Sequence, residues 1–237
     1  DPVAGLWSGR RCDRAQDLKD HVEDFAQTYG YEMTYLDRKA LAGHVTSQRY
    51  FHAIHDPNAF HIHPLNTLRA IATEVERLGG VIHDSSPVLD ADFTGATKRV
   101  NTPQGHASAP RIVFATGGYT GPLIPRLHRA VLPIATYMMI TEPAPELIAT
   151  AIKTRACMYD DRRAGDYYRL VEGGARLLWG GRITTRAADP AGIARELRRE
   201  MLTAYPQLAD LRTELSWSVL MGYARHLMPQ LGQIAPD

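Results

Sequence analysis

At 237 residues, with 44% apolar and 22% charged residues, the chain can bury a real core as one large domain or two small ones. A formal net charge of +1 gives no basic field for nucleic acid. Cys12 and Cys157 lie too far apart in sequence to suggest a metal pair or a redox motif, and no stretch reaches the roughly 18 apolar residues of a membrane span. The start, Asp1-Pro2-Val3-Ala4-Gly5, lacks the basic-then-apolar pattern of a secretory signal, so a reducing cytoplasm is expected.

In chain order, Gly5-Leu6-Trp7 reads as a short strand. Residues 15–29 carry Leu18, Val22, Phe25 and Ala26 at helical spacing. A second short helix is expected over residues 37–42, and Asp56-Pro57-Asn58 is a turn signal. The clearest local unit starts at Pro64, which suits a first helical turn because its missing N–H has no partner there. Leu65, Leu68, Ile71, Ala72, Val75 and Leu78 form one stripe before Gly79-Gly80 ends the helix. Val81-Ile82 restarts a strand, and residues 90–100 and 104–112 read as a meander. It leads to Ile112-Val113-Phe114, an apolar run suited to a buried parallel strand.

From Val131 the pattern changes to β-branched and aromatic residues. A strand over residues 131–141 and a short helix over 145–152 precede a hairpin, in which 167–171 and 176–179 flank Glu172-Gly173-Gly174-Ala175. Ile193, Leu197, Met201, Leu202 and Tyr205 mark an amphipathic helix, followed by a strand near 211–220. The middle therefore reads as part of an α/β nucleotide-binding layer, and the flanks as an antiparallel sheet interleaved with it.

Three constellations can carry chemistry. Ala115-Thr116-Gly117-Gly118 would sit beyond the carboxyl end of a parallel strand, where α/β sheets bind ligands; an ordinary tight turn is the alternative. On a strand, Tyr167 and Arg169 share one face and Tyr168 takes the other, so either a ligand-facing wall or a cross-strand pair with Trp179 is open. The histidines His44, His52, His55, His61 and His63 come without an acidic or thiol residue placed to complete a ligand set. Helix entry and ordinary hydrogen bonding are expected of them, and no metal site.

Phe60-His61-Ile62-His63-Pro64-Leu65-Asn66, Arg111 to Gly118, Asp166-Tyr167-Tyr168-Arg169-Leu170, Leu177-Leu178-Trp179-Gly180-Gly181 and Met228-Pro229-Gln230-Leu231-Gly232, in this order, resemble the FAD-dependent amine and D-amino-acid oxidase superfamily. The resemblance runs from about Leu18 to Gly232. It implies an α/β (α+β) fold in which a partial FAD-binding, Rossmann-like layer interleaves with an antiparallel-sheet substrate domain. Residues 1–59 and 131–220 would belong to the substrate domain, 60–130 to the FAD-binding domain, and 221–237 to the return into it.

The resemblance also implies FAD contacts at Thr116 and Gly117, flanked by Ala115 and Gly118, and a main-chain contact to adenine at Val88. Tyr167, Tyr168, Arg169, Trp179 and Trp217 become candidate substrate residues. The implied reaction is oxidation of a small-molecule amine or amino acid, related to gamma-glutamylputrescine, by hydride transfer to flavin. The glycine-rich dinucleotide fingerprint of the family occurs nowhere in these residues. Weak FAD binding by the chain alone, self-association through exposed apolar surface, and a non-catalytic ligand-binding or interaction module as the alternative function all follow from that difference. Where relatives often carry a carboxylate-binding arginine, this sequence has Trp217-Ser218, which favours an amine over a simple D-amino acid.

Overall fold

The computed structural model describes residues 2–185 and 188–234. The first stretch contains β1 (Val3–Arg10), α1 (Ala15–Tyr29), β2 (Thr34–Leu36), α2 (Arg38–Leu41), β3 (His52–His61) and α3 (Pro64–Arg77). Next come β4 (Asp90–Asp92), β5 (Lys98–Thr102), β6 (Gly105–Ala109) and α4 (Pro125–Ala130). The last stretch holds β7 (Leu132–Thr141), α5 (Pro145–Ala149), β8 (Cys157–Asp160), β9 (Tyr167–Val171), β10 (Arg176–Thr184), α6 (Pro190–Ala204) and β11 (Thr213–Tyr223).

Local chemistry accounts for many of the boundaries. α1 stops where Gly30 takes the left-handed conformation at φ 61° and its N–H reaches Ala26 O at 3.0 Å. The Asp37 carboxylate caps α2 by accepting from Ala40 N at 2.8 Å. Asp189 does the same for α6 through Ala191 N and Gly192 N, with Pro190 in the first turn.

The chain divides into two compact units. One joins the stretch ending at Pro64 to Thr136–Val219; the other joins Leu65–Ala135 to the stretch from Leu220 onward. In the first unit an eight-stranded sheet runs in the order β11-β7-β10-β9-β8-β1-β3-β2. β9 and β10 form the expected antiparallel hairpin, Tyr168 opposite Trp179 and Tyr167 opposite Gly180. The sheet is mixed, because β1 lies parallel to β8 with Leu6 opposite Cys157 while running antiparallel to β3. α6 buries Leu197 and Met201 of the expected stripe, with Tyr205 just beyond its end, while Ala194 and Ala204 are buried in place of the half-buried Ile193 and Leu202.

The turn signal at Asp56-Pro57-Asn58 acts differently from expectation. It lies inside β3, where the register to β1 slips between Ala4 and Leu6. The Asp56 carboxylate accepts from Asn58 N at 3.0 Å and Ala59 N at 3.2 Å, so the local turn chemistry is spent on a bulge.

In the second unit, β4, β5 and β6 form a three-stranded antiparallel meander. Two expected strands are absent: neither Val81-Ile82 nor Ile112-Val113-Phe114 is in a ladder, and Val113 is 87% exposed. A parallel strand exists only with hydrogen-bonded neighbours, and no described segment pairs with this one. α3 forms as its periodicity predicts, yet Leu65, Leu68, Ile71, Val75 and Leu78 all remain exposed.

Candidate functional site

The two faces of β9 have different fates. Tyr168 and Trp179 are buried, their rings stacked at 4.2 Å with an interplanar angle of 1°, and Tyr205 meets both edge-on. The Tyr168 hydroxyl lies 2.6 Å from that of Tyr205 and 2.8 Å from Met158 Sδ. Burial pushes the Tyr168 phenol well above its ordinary range, with Tyr205 and Tyr50 adding to the shift. The pair thus takes the cross-strand packing role that the sequence leaves open, because a ring enclosed on all sides has no surface left for a ligand.

Tyr167 stands on the other face, 39% exposed. A Cβ on Gly180 would come within 2.3 Å of the Tyr167 ring and of Met138 Sδ, so Gly180 is the residue that allows the ring to lie flat on the sheet. The Tyr167 hydroxyl sits 3.1 Å from Thr136 Oγ1, which holds the far end of the ring. Arg169, two residues on and half-buried, donates from Nη1 to His61 Nδ1 at 2.8 Å and to the Ile62 carbonyl. Trp217 on β11 is 38% exposed, in an alternating row with the exposed Leu215 and Val219.

A charge network invisible in the sequence fixes the start of β9. Arg49 bridges Asp166 at 3.1 Å and Glu200 at 2.5 Å, and Arg162 reaches Asp166 at 2.5 Å and Asp160 at 2.9 Å. The main chain closes the same loop, Asp160 N donating to Asp166 O at 2.9 Å. Burial pushes the Asp166 carboxyl above its usual range even with Arg162 and Arg49 beside it. Burial also acts on Glu200, but the Arg49 hydrogen bond and the charges of Arg162, Arg49 and Arg182 outweigh it and hold that carboxylate below its usual range. Asp160, Arg162 and Asp166 are close in sequence, but Glu200 lies 38 positions beyond Arg162 and Arg49 lies 117 before Asp166, so no local pattern reveals the network.

In the second unit, Gly117 and Gly118 serve different purposes. Gly117 has φ 53° and open space where its Cβ would be, so a ligand can approach the main chain there. A Cβ on Gly118 would come within 3.0 Å of Leu220 Cβ and the Met221 main chain, so its small size is required by the close approach of Leu220 and Met221 within the same unit. Thr116 Oγ1 lies 2.6 Å from Thr120 Oγ1, and both Ala115 and Thr116 are exposed. Val88 is 39% exposed, and the ladder begins one residue later, where Leu89 N donates to Asn101 O at 2.9 Å. The open Cβ direction at Gly117 and the part-exposed Val88 leave room for an adenosine bound by backbone groups.

A cleft of about 560 Å³ in the first unit is lined by Arg10, Cys12, Arg14, Asp17, Leu18, His21 and Asp161 and contains none of the expected site residues. Among the described residues no three His, Cys, Asp or Glu side chains converge as a metal site, and no helix is long and apolar enough to cross a membrane.

A family model described as FAD dependent oxidoreductase (DAO) matches residues 3–237. A probable oxidoreductase OrdL of Rhizobium meliloti (strain 1021) is 27% identical over 235 residues, covering 98% of this chain and 54% of the relative. Gamma-glutamylputrescine oxidoreductase of Escherichia coli (strain K12) is 28% identical over 232 residues, covering 97% of this chain and 54% of that protein. The chain therefore spans about half the length of these relatives. Among solved structures, glycine oxidase from Geobacillus kaustophilus superposes with a TM-score of 0.82 at 20% identity, covering 98% of this chain and 62% of the other. L-proline dehydrogenase from P. horikoshii gives 0.80 at 14% identity, covering 99% and 65%. At these identities the two structures show a shared fold.

Proposed function

The chain belongs to the DAO family of FAD-dependent oxidoreductases, and from that membership we propose that it contributes the substrate-binding sheet and one flank of the cofactor site to an enzyme that oxidises an amine or amino acid. An amine related to gamma-glutamylputrescine is the substrate class we favour. The observation that carries this reading is the split on β9: Tyr168 is spent on the core, while Tyr167 is laid over Gly180 and Arg169 is anchored on the opposite face.

In this reading Thr116, Gly117 and the main chain of Val88 hold the adenosine end of FAD, with Ala115 and Gly118 on either side. Bound FAD supplies the two-electron acceptor. The residues of this chain bind and orient the substrate. Tyr167 presents an aromatic face worth about 0.5 to 2 kcal/mol to a cationic amine. Thr136 restrains the ring, so little side-chain freedom is lost when substrate arrives. Trp217 adds apolar surface, and Trp217-Ser218 offers no guanidinium to a simple D-amino acid.

Anaerobic mixing of the full-length, FAD-loaded enzyme with gamma-glutamylputrescine should bleach the flavin absorbance, with a higher kcat/KM than for D-alanine. A flavin that no amine bleaches would sink the oxidase reading. The alternative, a non-catalytic ligand-binding or interaction module, draws on the absence of the glycine-rich fingerprint from these residues. On that ground the 237-residue chain by itself should bind FAD weakly, and a stoichiometric yellow preparation would contradict that expectation.

A further inference from the structure

Arg169 is tied on one side and open on the other. Its Nη1 donates to His61 Nδ1 at 2.8 Å and to the Ile62 carbonyl. His61 Nε2 in turn lies 3.0 Å from the Arg155 carbonyl. A carbonyl only accepts, so Nε2 carries the proton, Nδ1 offers its lone pair to Arg169, and the imidazole is neutral. Burial lowers the His61 pKa, the carbonyl hydrogen bond of Arg155 opposes that shift, and the Arg169 charge adds to it.

What is missing is a counter-ion. Arg49, Arg162 and Arg176 each meet at least one carboxylate at 3.1 Å or closer. Arg169 has none among the described residues, and its Nε and Nη2 make no hydrogen bond there. The neighbouring Cys157 thiol is pushed up by burial and brings no charge near neutral pH. A half-buried guanidinium has given up water, normally against an anion, and this one is held in a single orientation by two acceptors on the β3 end.

We propose that the open edge of Arg169 is a carboxylate subsite for an acidic group carried by the substrate amine, on the same strand face as Tyr167. It rests on the amine-oxidation reading and narrows it to amines that bear a second, anionic end. Two parallel N–H donors match a carboxylate, and an orientation fixed in advance loses little entropy on binding. His61 is a positioning residue.

The test uses 5-aminovalerate, an amine with a distal carboxylate, against pentylamine, which has none. Phenylglyoxal labelling of Arg169 in the FAD-loaded protein, read by peptide mass spectrometry, should be slowed by 5-aminovalerate and not by pentylamine. Arg169→Gln should weaken 5-aminovalerate binding about 10- to 100-fold, as expected for lost charge-assisted hydrogen bonds, and change pentylamine binding less than about twofold. Arg169→Lys should fall between, since it keeps the charge and loses the fork. Equal protection by both probes, protection by neither, or unchanged 5-aminovalerate binding in Arg169→Gln would overturn the subsite. If Arg169→Gln does not fold, labelling of the unaltered protein and Arg169→Lys still decide. Protection without flavin bleaching by any amine would leave the subsite standing and remove the oxidation reading; bleaching that ignores Arg169 would do the reverse.

Discussion

The two units are built from equally apolar sequence, but only one of them has a finished core. Of the buried apolar side chains among the described residues, only Ile124, Ile134 and Ala135 belong to the second unit; the rest, including Trp179, Tyr205, Leu197 and Met201, lie in the first. α6 and α3 are near twins in length and periodicity, yet α6 buries four residues and α3 none. Helical spacing therefore determines that a stripe forms. Whether it is buried depends on a partner surface, and that partner is not in the helix.

The largest effect is expected from removing a large side chain from the finished core. Trp179→Ala should cost about 3 to 5 kcal/mol in denaturant unfolding, because Tyr168 and Tyr205 lose the ring they pack on. A loss below about 1 kcal/mol would mean that the first unit is no better packed than the second.

Gly165→Ala comes next. Its Cβ would fall 1.9 Å from Asp160 Oδ1, inside the network that sets the start of β9. A destabilisation of about 1 to 3 kcal/mol is expected, with Tyr167 displaced as seen by reduced amine binding. Unchanged stability would show that the charged loop yields freely.

A smaller effect follows from His61. Its folded-state pKa lies below the ordinary 6.5, so the unfolded chain takes up the proton first as pH falls. Stability from this group is fully present above about pH 6.5 and is lost as pH drops through the folded pKa. The measurement is denaturant unfolding between pH 7.5 and 5.5, with His61→Gln as the reference. The variant should show a shallower loss on the acid side; identical slopes would remove His61 from the account.

The smallest effect belongs to the second unit. Leu68→Gln on the exposed stripe of α3 should change stability by no more than about 0.5 kcal/mol. It should also lessen concentration-dependent self-association in sedimentation, which the open stripe is expected to cause. A cost like that of Trp179→Ala would show that the stripe is buried in solution.

Helices and hairpins are where the sequence was most legible. The signals for α1, α3, α6 and the β9–β10 hairpin are local: apolar spacing, Pro64 in a first helical turn, Gly79-Gly80 as a stop, and a Gly-Gly turn. Strand alternation also separated Tyr167 and Arg169 from Tyr168. It could not say which face met the core, because that depends on α6 and Tyr205, which are distant in sequence.

The remaining features needed the whole fold. The Asp56 turn became a bulge because β1 pairs across it. Ile112-Val113-Phe114 stays out of a ladder because a strand is a property of two segments and no described segment pairs with this one. The Arg49, Asp160, Arg162, Asp166 and Glu200 network and the unpaired edge of Arg169 were likewise decided by tertiary structure. Periodicity, caps and turns act over a few residues and are written in the sequence; charge partners, buried faces and strand neighbours are set by folding, which brings distant residues together.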